Sequence, residues 1–221
     1  MSCKTTIILT STVNVNLNKF WLYQKDKNER LQTYLPAISQ WLSKTNFNIV
    51  LVDNSGHNYD EFAAEKELYK DRFEVVIYTE SELDESAYLA NSFHKGESEL
   101  FSIDYAFRHS TIIKQSTFII KITCRYFIPD LENYLSKYDL NNYDCLSQSD
   151  RNRCEMVGSH VKNFTHIFNK SLLDLTGENI IYHIETLWKD RISTFANILI
   201  CEPFQIEPTQ RGGINEIFYS I

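Results

Sequence analysis

At 221 residues and 43% hydrophobic, the chain is long enough to bury one substantial core, while a formal net charge of −7 argues against a broad electrostatic grip on nucleic acid. No stretch reaches the ~18 apolar residues of a membrane span, and "MSCKTTIILTSTVNVN" carries no cleavable signal pattern, so the expectation is a cytoplasmic protein without an integral membrane segment. The five cysteines, Cys3, Cys124, Cys145, Cys154 and Cys201, are odd in number, widely spread and never in C-x-x-C spacing, so they suggest neither a disulfide framework nor a zinc site and are expected to be reduced thiols.

In chain order, "TTIILTS" reads as a first strand with a polar exit at Thr10, Ser11 and Thr12. "ERLQTYLPAISQWLS" spaces Leu31, Leu35, Ile38 and Leu42 as one helical face, with a kink expected at Pro36. "FNIVLVDNSG" is an apolar strand ending in the turn formers Asp53, Asn54, Ser55 and Gly56, and a short helix follows from Tyr59 to about Lys70. "FEVVIYTE" is a third strand, "HKGESELFSIDYAFRHS" a helix, and "STFIIKITCRY" a fourth strand. Beyond Pro129 come a short helix in "IPDLENYLSKY", strand-like pieces up to about residue 169, a helix in "IIYHIETLWKDRIS" and one late strand in "ANILICEPFQIEP". Strands alternating with helices predict an α/β fold with a mixed, mostly parallel central sheet in a single domain spanning residues 1–221.

In such sheets ligands gather outside the carboxyl ends of the strands, where strand order reverses. Four exits are polar: Thr10 to Thr12, Asp53 to Gly56, Glu80 to Glu85, and Lys121 to Arg125. Each has an ordinary reading too. Asp53 suits a turn, "ESELDE" suits a solvated loop as well as a carboxylate pair for a metal, and Arg125 suits an ion pair at the edge of the core. Lys95 and Gly96 at a helix start suit an anion, although a solvated lysine is the commoner case.

"TTIILTSTV", the following helix and "NIVLVDNSG" resemble the opening half of nucleotide-sugar glycosyltransferases of the GT-A type. "HKGESELFSIDYAF" and "FIIKITCRYFIP" are similar to a smaller group of such enzymes from large viruses and bacterial polysaccharide loci, with a K-G-x-G-E helix start and an "IIKITGRY" strand. Lys95, Gly96 and Glu99 match the first element, with Ser98 in place of its second glycine. Lys121, Thr123, Arg125 and Tyr126 match the second, with Cys124 in place of glycine.

The resemblance implies that Thr10, Ser11, Asp53 and Asn54 hold the nucleoside of a nucleoside diphosphate sugar, with Lys95, Glu99, Lys121 and Arg125 around its diphosphate. Where most GT-A enzymes carry an Asp-x-Asp metal site, this strand ends in "KITCR". Alternation puts Lys121, Thr123 and Arg125 on one face, so protein cations replace a divalent metal, which stays possible but not required. Residues 1–129 then form the nucleotide-sugar half and 130–221 the acceptor half.

"HIETLWKDRI" resembles the helix start of inverting GT-A enzymes. Glu185 is the expected general base on an acceptor hydroxyl, with Arg191 following and Thr186 in the second acidic position. A glutamate there also suits the helix dipole, and His183 is either a rival base or a core histidine. In "TQRGGINEIFYSI", Arg211 either closes over the donor as part of a lid or belongs to a loop docked by its apolar end. Tyr126 and Trp188 are the aromatics adjoining proposed site residues. The expected activity is transfer of a sugar from a nucleoside diphosphate donor, such as a UDP-sugar, to a glycan or glycoconjugate hydroxyl with inversion. The rival is a non-catalytic binder of sugar nucleotides or glycans. A nucleotidyltransferase ranks lower, because "LTSTVNVNLNKF" lacks the glycine-rich loop such enzymes need after the first strand.

Overall fold

The structure is a computed structural model describing residues 4–150 and 153–221, so the reading of Cys3 as a reduced thiol lies outside the described residues. Along the chain run β1 (Thr5–Ser11), α1 (Lys27–Lys44), β2 (Asn48–Asp53), α2 (Ala63–Leu68), β3 (Phe73–Ile77), α3 (Lys95–His109) and β4 (Phe118–Thr123). They are followed by α4 (Leu131–Leu135), β5 (Cys145–Gln148), β6 (Met156–His160), α5 (Phe164–Ile167), α6 (Ile184–Ile192), β7 (Ile198–Cys201), β8 (Gln205–Gln210) and β9 (Ile217–Ser220).

Seven strands form one sheet in the order β3-β2-β1-β4-β6-β5-β7, in which only β6 runs antiparallel to its neighbours. The apolar runs of β1, β2 and β4 are continuous because these strands are covered on both faces. Ile7, Leu9, Leu51, Ile120 and Ile122 pack with Tyr34, Ile38 and Trp41 of α1, while Ile8, Val50 and Ile119 pack with Leu100 and Phe101 of α3 and Trp188 of α6. Strand order reverses at β1, which pairs in parallel with both β2 and β4, and this opens a crevice above the carboxyl ends of β1 and β4.

Two local readings change. Helix α1 is unbroken through Pro36, and its buried seam is Arg30, Tyr34, Ala37, Ile38, Trp41 and Leu42, with Leu31 and Leu35 packed at its margin. The expected single late strand divides at Pro203, which has no N–H for a ladder. Its first part joins the sheet edge as β7, and its second forms an antiparallel hairpin, β8–β9, with the C-terminal residues. The hairpin returns the chain end to the core, where Phe218 and Ile221 are buried.

Candidate functional site

A cavity of about 940 Å³ occupies the crevice. Its floor is the exits of β1 and β4, its far wall the start of α3 and α6, and its cover is the strap joining β1 to α1 together with the tip of the β8–β9 hairpin. Thr10, Ser11, Asn54, Lys95, Glu99, Arg125, Glu185 and Arg211 all line it. Asp53 and Lys121 are not among its lining residues, and both are fully buried.

Asp53 is held by the loops around it. Its Oδ1 accepts from Ser55 N (2.8 Å), Ser55 Oγ (2.6 Å) and His57 N (3.2 Å), and its Oδ2 from Ser11 Oγ (2.9 Å) and Val13 N (3.2 Å). These partners use up the lone pairs of a carboxylate, so Asp53 clips the β1 and β2 exits together instead of touching a nucleoside. The adjoining Asn54 does face the cavity. It accepts from Thr12 Oγ1 (2.7 Å) and donates to Glu80 Oε2 (3.0 Å). Glu80 in turn pairs with Lys19 at 3.0 Å, and Lys19 also reaches Leu89 O and Ser98 Oγ. Glu80 is thus committed to a cation, Glu85 pairs with Arg108, and Glu82, Asp84 and Glu85 do not line the cavity, so the "ESELDE" run brings no pair of free carboxylates to it. Among the described residues, no three His, Cys, Asp or Glu side chains converge as a metal site.

Lys121 also departs from expectation. Its Nζ lies 2.6 Å from Glu99 Oε1, 2.7 Å from Cys154 O and 3.2 Å from Thr123 Oγ1, and it stands 5.0 Å from the Trp188 ring centroid. The ammonium is enclosed, and its charge is spent on Glu99. Burial, the largest single influence, would lower its pKa, but Glu99, with smaller help from Cys154 and Glu155, more than offsets it and the pKa is raised. Lys121 therefore fixes Glu99, which also accepts from Thr10 Oγ1 (2.9 Å) and is the member of the pair that faces the cavity.

Arg125 does not share the face of Lys121, because β4 ends at Thr123 and the chain turns there, with Tyr126 N donating to Thr123 O. The guanidinium lies instead toward α1, over the Tyr34 ring (5.5 Å), donating to the Gln24 side chain and to Gln210 O (3.2 Å). None of these partners is charged, so the arginine keeps a net positive charge at the cavity wall. Above it lies Gly212, where a Cβ would collide with the guanidinium, and a Cβ on Gly213 would sit 2.7 Å from Lys95 Nζ. Consecutive residues are only 3.8 Å apart, so the two cations lie within about 12 Å of each other under the hairpin tip. Lys95 is exposed by surface area yet stands inside the concavity, and the resulting desolvation lowers its pKa against the opposing pull of Glu99.

On the α6 side, Glu185 lies in the first helical turn, half-buried and lining the cavity. His183 precedes the helix, exposed and facing the same space, so it is not a core histidine. Arg191 is not part of the site. Its guanidinium is buried and donates to the carbonyls of Ile167, Asn169 and Ser171, which ties down the loop after α5, and burial lowers its pKa to about 10. Arg211 has weaker partners, Glu155 and Glu216, each at 4.0 Å, and stacks over Phe218 at 5.0 Å. Trp188 is buried and does not line the cavity, whereas Tyr126, also buried, lies in its wall. Phe20, Trp21, Tyr34, Phe93 and Tyr182, which also line the cavity, together with Lys19 and Gln24, were not among the predicted site residues. The one sequence sign of the strap residues was the density of polar and aromatic residues in "NVNLNKFWLYQ" between two regular elements.

No protein-family model matches the sequence, and no curated protein matches it significantly. Solved structures do. The glycosyltransferase GlyE of Streptococcus pneumoniae TIGR4 superposes with a TM-score of 0.55 at 9% identity over 91% of this chain. TarS of S. aureus superposes with a TM-score of 0.50 at 12% identity over 90% of this chain. The chain spans 45% of the GlyE structure and 35% of the TarS structure. The sheet order, the antiparallel β6 and these superpositions together identify the fold as that of GT-A-type glycosyltransferases.

Proposed function

We infer that the protein is a nucleotide-sugar glycosyltransferase. The observation that carries this reading is the placement of Arg125 and Lys95, whose nearest polar partners are neutral, beneath a Gly-Gly turn at the switch point of a GT-A-type sheet. A guanidinium and an ammonium so placed suit a diphosphate, and the missing Cβ atoms let backbone approach it closely. Thr10, Ser11, Thr12 and Asn54 line the neighbouring wall and suit a nucleoside. Residues 1–129 supply most of this donor half. Residues 130–221 supply Glu185 on the acceptor side and Arg211 at the hairpin tip. Glu99, with its charge balanced by Lys121, is a hydrogen-bond acceptor suited to donor hydroxyls.

In the proposed reaction, an acceptor hydroxyl oxygen of a glycan or glycoconjugate attacks the anomeric carbon while Glu185 takes its proton. The bond from that carbon to the diphosphate oxygen breaks, and the leaving nucleoside diphosphate departs with the electron pair onto Arg125 and Lys95. A single displacement of this kind inverts the anomeric centre. The test is a thermal-shift screen of UDP, GDP, CDP and dTDP, followed by donor turnover. One nucleoside diphosphate is expected to raise the melting temperature, with Arg125→Ala abolishing the shift and Glu185→Gln keeping it while losing turnover. An unchanged shift in Arg125→Ala excludes the diphosphate assignment, and binding without hydrolysis or transfer leaves a sugar-nucleotide binder on the same fold.

A further inference from the structure

Aromatic residues line the cavity beside the proposed donor site. Trp21 is 68% exposed and adopts a left-handed backbone conformation, φ 57°, that a bulky side chain rarely takes. The backbone is fastened on both sides of it. Phe20 N donates to Phe93 O (3.0 Å), and Tyr23 N donates to Gly212 O (2.9 Å). The strap therefore holds a strained tryptophan and leaves its indole in water, where a flexible loop would relax. The ring ledge continues into the wall. Phe20 stacks on Phe93 at 5.0 Å and meets His94 edge-on at 6.5 Å, and His94 stacks on Tyr182 at 4.4 Å. Tyr182 is 52% exposed and stands three residues before Glu185.

We propose that Trp21 and Tyr182 form the acceptor subsite, binding a pyranose ring through its C–H face and presenting one of its hydroxyls toward Glu185. This rests on the glycosyltransferase reading for the role of Glu185, but not for the binding itself. Two features select a saccharide over a lipid chain. The ledge mixes rings with the Tyr182 phenol, the His183 imidazole and the Glu185 carboxylate, all lining the same space, and an alkyl chain would desolvate these without pairing them. A sugar offers an apolar face to the rings and hydroxyls to the polar groups. The ledge also runs directly into the cavity holding Lys95 and Arg125, where an acceptor must meet the donor.

The chain contains three tryptophans, and Trp41 and Trp188 are buried, so quenching by a solute reports chiefly on Trp21. Acrylamide is the suitable quencher, because the cavity cations would concentrate an anion. The full chain is titrated with methyl glucoside, methyl galactoside, methyl mannoside, methyl N-acetylglucosaminide, lactose and cellobiose, and separately with dodecanol. At least one saccharide is expected to protect the fluorescence, and Tyr182→Ala is expected to raise the half-protecting concentration by about three- to tenfold. Tyr182→Phe should restore most of it. Protection by dodecanol alone, by no saccharide, or equally in Tyr182→Ala overturns the proposal. The thermal shift with nucleoside diphosphates is read on the same samples. Saccharide protection without a nucleotide shift leaves the subsite standing and removes the transferase reading, whereas a nucleotide shift without protection does the reverse.

Discussion

A lysine ammonium with no solvent contact is tolerable only when a counter-charge stands against it, and for Lys121 that is Glu99. Removing one partner of such a pair leaves the other charge buried and unmatched, so Glu99→Gln is expected to destabilise the fold by roughly 3 kcal/mol. Lys121→Met combined with Glu99→Gln should cost less than the sum of the single changes, as measured by urea unfolding. The pH dependence gives a second check. With its pKa raised above 10.5, Lys121 contributes stability that is fully present below that value and is lost as pH rises through the folded-state pKa. In Glu99→Gln the largest opposing charge is lost against the same desolvation, so the lysine pKa falls and the stability linked to its proton is lost at a lower pH than in the wild type. The gap between wild type and variant should therefore narrow on the alkaline side, and a constant gap would mean the pair does not carry this charge balance. The sequence showed that a strand carried two cations, yet it could not show which were free. Lys121 and Thr123 do share a face as alternation requires, whereas the turn after Thr123 sends Arg125 to the other side. The partner that neutralises Lys121 comes from α3, a long-range contact that no local pattern encodes.

At the scale of elements, the β8–β9 hairpin is the part whose tip lies over the proposed cations. Its tip is joined to the strap by one backbone hydrogen bond, Tyr23 N to Gly212 O, and otherwise rests on Arg125 and Lys95 through two glycines. Gly212→Ala places a methyl group against the Arg125 guanidinium, so the tip must lift or the arginine must turn away. Nucleoside diphosphate affinity is expected to fall about tenfold while the melting temperature changes little, because no core contact is lost. Asp26→Ala is the contrasting case. Asp26 caps α1 by accepting from Asn28 N (2.8 Å) and Glu29 N (3.0 Å), so its loss should cost about 1 kcal/mol of stability and leave nucleotide affinity unchanged. The two variants thus separate the hairpin's effect on the site from a general loss of stability. Elements buried on both faces, β1, β2 and β4, were readable as unbroken apolar runs, and α1 from its periodicity. The hairpin was not, because its strands are short and largely exposed and "EPTQRGGINE" lacks the alternation that a half-buried strand displays.

For the molecule as a whole, a formal charge of −7 means that a nucleoside diphosphate approaches a surface of its own sign, and attraction must come from side chains at the cavity. Those side chains include Arg30 and Arg125, whose partners are neutral, Arg211, whose carboxylates stand at 4.0 Å, and Lys95, and they differ in one respect that can be measured. A guanidinium keeps its charge at any working pH. Lys95 does not, because desolvation lowers its pKa below 10.5, and a bound diphosphate would favour the protonated form. Binding therefore takes up a proton when the free protein has lost it, and affinity must decline as pH rises through the Lys95 pKa, while below that value it is level. Isothermal titration of the nucleoside diphosphate found in the thermal screen, run with EDTA present from pH 7 to 10, should show this decline in the wild type and a flat, weaker profile in Lys95→Gln. If side-chain cations balance the diphosphate, EDTA leaves the binding at pH 7 intact. Loss of binding in EDTA, or the same pH profile in both proteins, would show that the charge of the leaving group is balanced by something other than Lys95 and its neighbours.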